Sequence, residues 1–335
     1  MSERHDLLAI CRLNAFFQVL ADNLPAFTLT DYLMTFTVRL RHRFCASLLL
    51  LAASLLTEPA LADATDAAAR PLDGPVIQRI RDKQTLTIAY DPNQAPFSLV
   101  GDDGQPTGYT VDLCRIIASE LVTQLKLGVL DVRWLKTNPR SRFNAIESGE
   151  ADLECSATSN TLERQRRVAF SLTTFIQGAT FAVRQEADLQ KLEELASKKI
   201  AVVRNTTTSR SLKQAIASGQ LQGTLVEVKN MEAAANLLAA KEVDAIAGDR
   251  LLMFDQLIRS KLGTRFRMLP QDFAPEYYTI MLNRNDTDFR WAVNATLSRT
   301  FRTPVIGELF QRWFGSLNQP GQLMEALYFT QAFPE

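Results

Sequence analysis

Histidine is almost absent from this 335-residue chain: there are two, His5 and His42, both within the first 62 residues. From residue 63 onward no imidazole remains. A Ser-His-Asp triad, a Cys-His pair, an HExxH zinc helix and any histidine general base are therefore excluded there. Cysteine is scarce too. Of four, only Cys114 and Cys155 lie beyond residue 62, and their spacing is not that of a metal knuckle. They are either a disulfide, as an exported pair would be, or buried free thiols. Net charge is missing: 37 basic residues stand against 37 acidic ones. That balance gives no bulk attraction to nucleic acid or to an anionic membrane, so no nucleic-acid partner is expected and charge-based recognition must be local. No metal loop is visible either, because the aspartates of GDDG, Gly101 to Gly104, lack the acidic residues that a calcium loop would add and read as a hairpin turn.

The longest apolar run near the start, FCASLLLLAASLL from Phe44 to Leu56, has 13 residues, short of the ~20 that span a bilayer. Arg39, Arg41, His42 and Arg43 precede it, and Pro59 and Ala60-Leu61-Ala62 follow. This is the layout of a secretory signal peptide, with translation expected from Met34, cleavage after Ala62 and residues 1–33 as an upstream extension. Removing residues 1–62 takes five basic and five acidic residues, so the exported part stays neutral.

With 46 % hydrophobic residues, the remainder can build one large or two medium cores. From Gln84 onward, short apolar runs alternate with helical patterns. The expected strands are 85–90, 130–135, 151–155, 179–184, 199–203, 224–229 and 243–247, an α/β pattern with largely parallel strands. YTVDLCRIIASELV sets Val111, Cys114, Ile117 and Leu121 at helical spacing, and Pro139 is expected to open a helix carrying Phe143 and Ile146 inward. The series restarts at KIAVV, Lys199 to Val203, which gives two lobes: 63–180 with 275–335, and 181–274. No Pro- or Gly-rich linker separates them, so the hinge is expected to be extended strand, with a ligand cleft between the lobes.

Three stretches offer charge complementarity. ECSATSNTLERQRRVAFS, Glu154 to Ser171, places the hydroxyls of Thr158 and Ser159 after a strand and Arg164 on the next turn, a set able to grip a carboxylate. RNTTTS, Arg204 to Ser209, lies between an apolar strand and a helix. It is either an anion-holding helix N-terminus or a segment in which Thr207, Thr208 or Ser209 caps its own helix. Asp249 follows the strand VDAIA and Gly248; its carboxylate either takes an ammonium group or caps the helix DRLLMFDQLI.

These residues carry a resemblance. In ordered blocks, TLTIAYDPNQAPFSLVGDDGQPTGYTVDLCRIIASEL, DLECSATSNTLERQRRVAFS, KIAVVRNTTTS, VDAIAGDRLL and VIGELFQRWFG, the chain resembles the periplasmic solute-binding proteins that deliver polar amino acids to ABC importers. The ECSATSNTLERQ block is most similar to the glutamate/aspartate-binding branch. The resemblance implies a two-lobe, type II Venus-flytrap fold of the α/β class with hinge strands, no cofactor, no metal and no catalytic residue. It also implies a monomeric periplasmic protein, a free amino acid as ligand and the membrane permease of an ABC importer as partner. By position, Arg164, Ser159 and Thr158 would hold the α-carboxylate, Thr207 would close over it from the second lobe, and Asp249 would take the α-ammonium. Phe97 and Arg142 would line the side-chain end.

Two departures bear on specificity. Where the acidic branch has a side-chain-binding arginine this chain has Asp91, and where it has a histidine this chain has Met231. Asp91 is similar to the branch that binds basic amino acids, whereas Arg142 fits an acidic side chain, so acidic, amide and basic ligands all stay open. Thr206 replaces a family glycine. Two other functions share the scaffold: an exported enzyme similar to cyclohexadienyl or arogenate dehydratase, with Glu154, Asp91 or a lysine or tyrosine as a candidate acid, and a soluble ligand-sensing module. Beyond WFG, a tail with Leu323, Leu327 and Phe329 is expected to pack back on the first lobe.

Overall fold

Runs rich in β-branched and aromatic residues pair into a nine-stranded sheet that passes through both halves of the structure. It is seen in a computed structural model describing residues 71–315 and 320–334; the signal peptide, the Met34 start and the Ala62 cleavage point lie outside these residues. In the first half β1 (Thr85–Tyr90) pairs in parallel with β5 (Asp131–Lys136) and β6 (Leu153–Ser159). In the second, β8 (Lys199–Val203) pairs in parallel with β9 (Thr224–Val228) and β10 (Ala245–Asp249). Two further strands join the halves, β7 (Ala169–Arg184) and β12 (Ala274–Leu282), and the order is β5-β1-β6-β12-β7-β10-β8-β9. Both run antiparallel to their neighbours, so the sheet is mixed rather than largely parallel. The reason is topological: a chain that crosses to the second half and returns must lay its two crossing strands in opposite senses. Strand β11 (Phe266–Met268) adds to β7, and β2 (Asn93–Gln94), β3 (Ser98–Val100) and β4 (Pro106–Thr107) make a small separate sheet.

Helices cover the sheet where the apolar periodicity places them. In α1 (Pro75–Lys83) proline occupies the first turn, and in α2 (Tyr109–Gln124) Val111, Cys114, Ile117 and Leu121 are all buried. The helix expected from Pro139 starts three residues later, as α3 (Arg142–Glu147), because Asn138 makes a turn in which its Oδ1 accepts from the amides of Arg140 and Ser141. The second half carries α4 (Thr207–Ala217), α5 (Met231–Ala239) and α6 (Arg250–Arg259); α7 (Thr287–Phe301), α8 (Pro304–Phe314) and α9 (Gln322–Gln331) return to the first.

Cys114 and Cys155 form a disulfide with their Cα atoms 6.4 Å apart, which fastens α2 to β6. Around it the first half packs an aromatic core in which Phe97, Tyr109, Phe175, Tyr278, Phe310 and Phe314 meet ring to ring. The second half is filled with smaller side chains, among them Ala182, Ala201, Ala234, Ala235 and Ala247. The tail helix α9 does pack on the first half, but not by the face expected. Met324 and Tyr328 are buried and Leu327 is partly so, while Leu323 and Phe329 are 63 % and 83 % exposed. The Tyr328 hydroxyl meets that of Tyr109 at 2.7 Å, and Gln331 bonds both the N–H and the C=O of Thr173 in β7.

Candidate ligand-binding cleft

A cavity of about 370 Å³ opens between the two halves, lined by Asp91, Gln94 and Arg140 on one side and by Thr206, Thr208, Met231 and Asp249, among others, on the opposite side. Sheet geometry explains the convergence. The C-terminal ends of β1, β8 and β10 deliver Asp91, Arg204 and Asp249 to it, the usual place for ligands in open α/β sheets, whereas the expected Arg142, Thr158, Ser159, Arg164 and Thr207 are not among its lining residues.

Strand β6 runs on to Ser159, longer than its apolar start predicts, and every residue of it is buried. It therefore carries a polar row into the interior. Arg142, 3 % exposed, donates from Nη1 to Thr158 Oγ1 at 2.8 Å, and Thr158 in turn donates to Glu154 Oε2. The Arg142 Nε and Glu154 Oε1 atoms are buried without a hydrogen-bond partner. Burial raises the Glu154 pKa against the pull of Arg142. Arg164 follows on a single 3₁₀ turn, 6 % exposed, donating to the Ser159 carbonyl at 2.7 Å with its guanidinium 5.1 Å from the Phe143 ring. Burial, then the charge of Arg142, lowers its pKa to about 10.

On the opposite side the uncertainty over RNTTTS resolves through the cap. Thr206, extended with φ −103°, caps α4 by accepting from the Ser209 amide at 3.1 Å. Its conformation needs no glycine. The cap also releases the next two hydroxyls: Thr207 donates to Glu276 Oε1 at 2.7 Å and Thr208 to Asp249 Oδ1 at 3.0 Å. Asp249 holds the N-cap position of α6 yet makes no capping bond; Gln177 of β7 accepts from the Leu251 amide instead. The Asp249 carboxylate is left to accept from Thr208 and Tyr278, and burial raises its pKa.

Glu276 is the residue that sequence reasoning missed. It lies on β12, 1 % exposed, and accepts from Ser159 of the first half as well as Thr207 of the second. Burial, then the negative charge of Asp249, lifts its pKa to about 7. A single glutamate in the otherwise apolar and aromatic run APEYYTIML is the signal that could have found it.

Of the other expected site residues, Asp91 stands at the cavity, 1 % exposed, accepting from the Asn93 amide and from Gln94 Nε2, both at 3.0 Å. Burial raises its pKa. Phe97 does not line the cavity; its ring is fully buried and packs edge-on against Tyr278 at 4.9 Å, behind the hydroxyl that reaches Asp249. Arg210 of α4 pairs with Glu163, an exposed contact between the two halves. Among the described residues no cluster of three or more acidic, histidine or cysteine side chains could hold a metal ion, and no helix is long and apolar enough to cross a membrane.

Comparison with known proteins adds the following. The family model for bacterial extracellular solute-binding proteins, family 3, matches residues 86–316. The L-glutamate/L-aspartate-binding protein of Pseudomonas aeruginosa is 26 % identical over 265 residues, 78 % of this chain and 84 % of that one. Among solved structures, the P235GK mutant of ArgBP from T. maritima superposes with a TM-score of 0.63 at 21 % identity, covering 71 % of this chain and 99 % of its own. The ancestral amino acid-binding protein AncCDT-1, a precursor of cyclohexadienyl dehydratase, gives 0.62 at 22 % identity with the same coverage. At these identities the structural likeness establishes the two-lobe fold.

Proposed function

Since the chain belongs to family 3 of the bacterial extracellular solute-binding proteins, we propose that it captures a free amino acid in the cleft, in the periplasm after cleavage of its leader. As a monomer it then delivers that ligand to the membrane permease of an ABC importer. The observation that supports this reading is a cation and an anion from opposite halves close enough to act on each other: Asp249 of the second half lines the cavity, and the charge of buried Arg164 of the first pulls on its carboxylate. A zwitterion matches that pair, its carboxylate toward Arg164, Ser159 and the α4 N-terminus with Thr207, its ammonium toward Asp249. Arg142, held by Thr158, acts on the side-chain end through its charge, and Asp91, which lines the cavity, faces the ligand side chain. Phe97 acts behind the wall, by fixing Tyr278. Segments 63–180 with 275–335 and 181–274 move as the two closing bodies about β7 and β12.

One observation favours a second reading. A buried carboxyl with a pKa near 7, Glu276, is what a general acid for elimination chemistry requires. Calorimetric titration of the purified, ligand-stripped protein with amino acids and with prephenate separates the two. Stoichiometric heat from amino acids and no turnover supports capture and delivery; turnover of prephenate with no amino-acid binding would replace it with a dehydratase.

A further inference from the structure

Glu276 already holds the groups that a ligand α-carboxylate would need. Its Oε2 accepts from Ser159 Oγ at the end of β6, and its Oε1 accepts from Thr207 Oγ1 in the first turn of α4 at 2.7 Å. The positive charge of Arg164 acts on the same carboxylate. Ser159 and Arg164 come from the first half and Thr207 from the second. None of the three lines the cavity, although Thr208, the next residue along, does. Both hydroxyls are thus turned to a protein carboxylate. A hydroxyl has a single proton to donate. While Ser159 and Thr207 give theirs to an ionised Glu276, neither has one for a second anion, and an α-carboxylate brought to that place meets a like charge at close range.

The surroundings set the charge balance. Glu276 is 1 % exposed on β12, between β6 and β7. The titratable groups that face it are Arg164 beyond β6, Asp249 at the end of β10 and Tyr278 on its own strand, with neutral Gln177 opposite it on β7. Arg142 is engaged with Thr158 and set against Asp91 and Glu154. Arg164 therefore faces two carboxylates, Glu276 and Asp249. A zwitterion brings an ammonium for Asp249 and a carboxylate for Arg164, which leaves the charge of Glu276 in excess. We propose that Glu276 is a resident competitor for the α-carboxylate place, and that capture of an amino acid is accompanied by uptake of one proton from solvent onto Glu276. This rests on the amino-acid reading above and adds a control to it. The protonated acid becomes a donor: with its O–H turned on Thr207 Oγ1, that hydroxyl accepts from Glu276 and is free to donate its own proton to the ligand carboxylate. A pKa raised by burial to about 7 puts the exchange within the ordinary pH range.

The test is calorimetry on the purified, ligand-stripped protein. The twenty common amino acids are screened at about pH 6, and each that binds is titrated again at about pH 8.5, in two buffers of different ionisation enthalpy, which counts the protons taken up. The wild-type protein should take up close to one proton per bound amino acid at the higher pH and close to none at the lower. Its affinity should fall roughly tenfold per pH unit above the pKa of Glu276. Glu276→Gln, whose amide donates as the protonated acid does, should take up none, and at about pH 8.5 should bind about tenfold or more tighter than wild type. Wild-type binding with no proton uptake at the higher pH overturns the inference and leaves amino-acid capture standing. So does a variant that still takes up the proton, which assigns it to another group, or one that binds more weakly than wild type, which makes Glu276 a partner of the ligand ammonium. If the variant does not fold, the wild-type proton count and pH profile decide alone. Silence from all twenty amino acids overturns both the inference and the capture reading.

Discussion

The two halves of the molecule are built on different plans. The first closes a disulfide over an interlocked set of aromatic rings and is backed by the tail helix. The second, filled with alanine and small aliphatic side chains, has no disulfide among its described residues. The charged groups divide along the same line: Asp91, Arg142, Glu154, Arg164 and the exposed Arg140 belong to the first half, whereas the second supplies the α4 N-terminus, Asp249 and the exposed Arg204 and Lys229. The difference teaches that the two buried guanidiniums, Arg142 and Arg164, sit in the cross-linked half, since a desolvated guanidinium keeps its geometry only if its surroundings cannot relax around it.

The largest expected effect comes from removing the stiff frame. Cys114→Ala with Cys155→Ala opens a covalent loop whose ends are 41 residues apart, and loop entropy puts the loss at about 4 kcal/mol. Denaturant unfolding measures it; a loss below about 1 kcal/mol would mean that the aromatic core alone holds β6 in place.

Next come the two poles of the cleft. Arg164→Ala and Asp249→Ala should each weaken amino-acid binding by about 3 kcal/mol, more than a hundredfold, since each leaves one end of the bound zwitterion unpaired. Equal losses from the two halves would sharpen the comparison, and unchanged affinity in either variant would break the assignment.

Glu276 sits between the halves and reports on both. Its pKa is raised from 4.5 to about 7 in the folded protein, so the native state holds that proton more tightly than the unfolded chain does. Stability contributed by this group is therefore full below the unfolded value and declines as pH rises from about 4.5 to about 7, by on the order of 2–3 kcal/mol. Facing it are Asp249, Arg164, Ser159 and Thr207. The raised pKa values of Asp91, Glu154 and Asp249 act in the same sense, so Glu276→Gln should reduce the slope of stability against pH rather than abolish it. A variant with the wild-type slope would show that Glu276 ionises freely.

The smallest effect belongs to the Arg210–Glu163 bridge. Both side chains are largely exposed, so Glu163→Gln should shift amino-acid affinity by less than about 1 kcal/mol. A larger shift would show that this pair holds the cleft closed.

The α/β halves and most strand positions were legible because alternating apolar runs leave a period in the sequence. The crossing strands were legible only in part: 179–184 of β7 showed, but its earlier stretch and β12 did not, although both are rich in threonine and aromatic residues, because a strand contacting both cores has no clean inside and outside. At the cleft, Asp249 and Asp91 lie at strand ends, and Arg164 lies on the 3₁₀ turn beyond β6. The pairing of their hydroxyl neighbours did not follow: the cap fell on Thr206 rather than on its successors, and Thr207 thereby became a partner of Glu276, 69 residues away. Local spacing encodes a cap. It holds no record of which distant carboxylate the freed hydroxyl will meet.

At Thr173 the ladder between β7 and β12 changes register, and Gln331 supplies the amide partners through both ends of its side chain. A ribosome releases the chain in order, so Thr173 emerges more than a hundred and fifty residues before Gln331 does. Until Gln331 arrives, the N–H and C=O of Thr173 lack their bonds. The strand that joins the two halves thus gains its last hydrogen bonds only once helix α9 has been made.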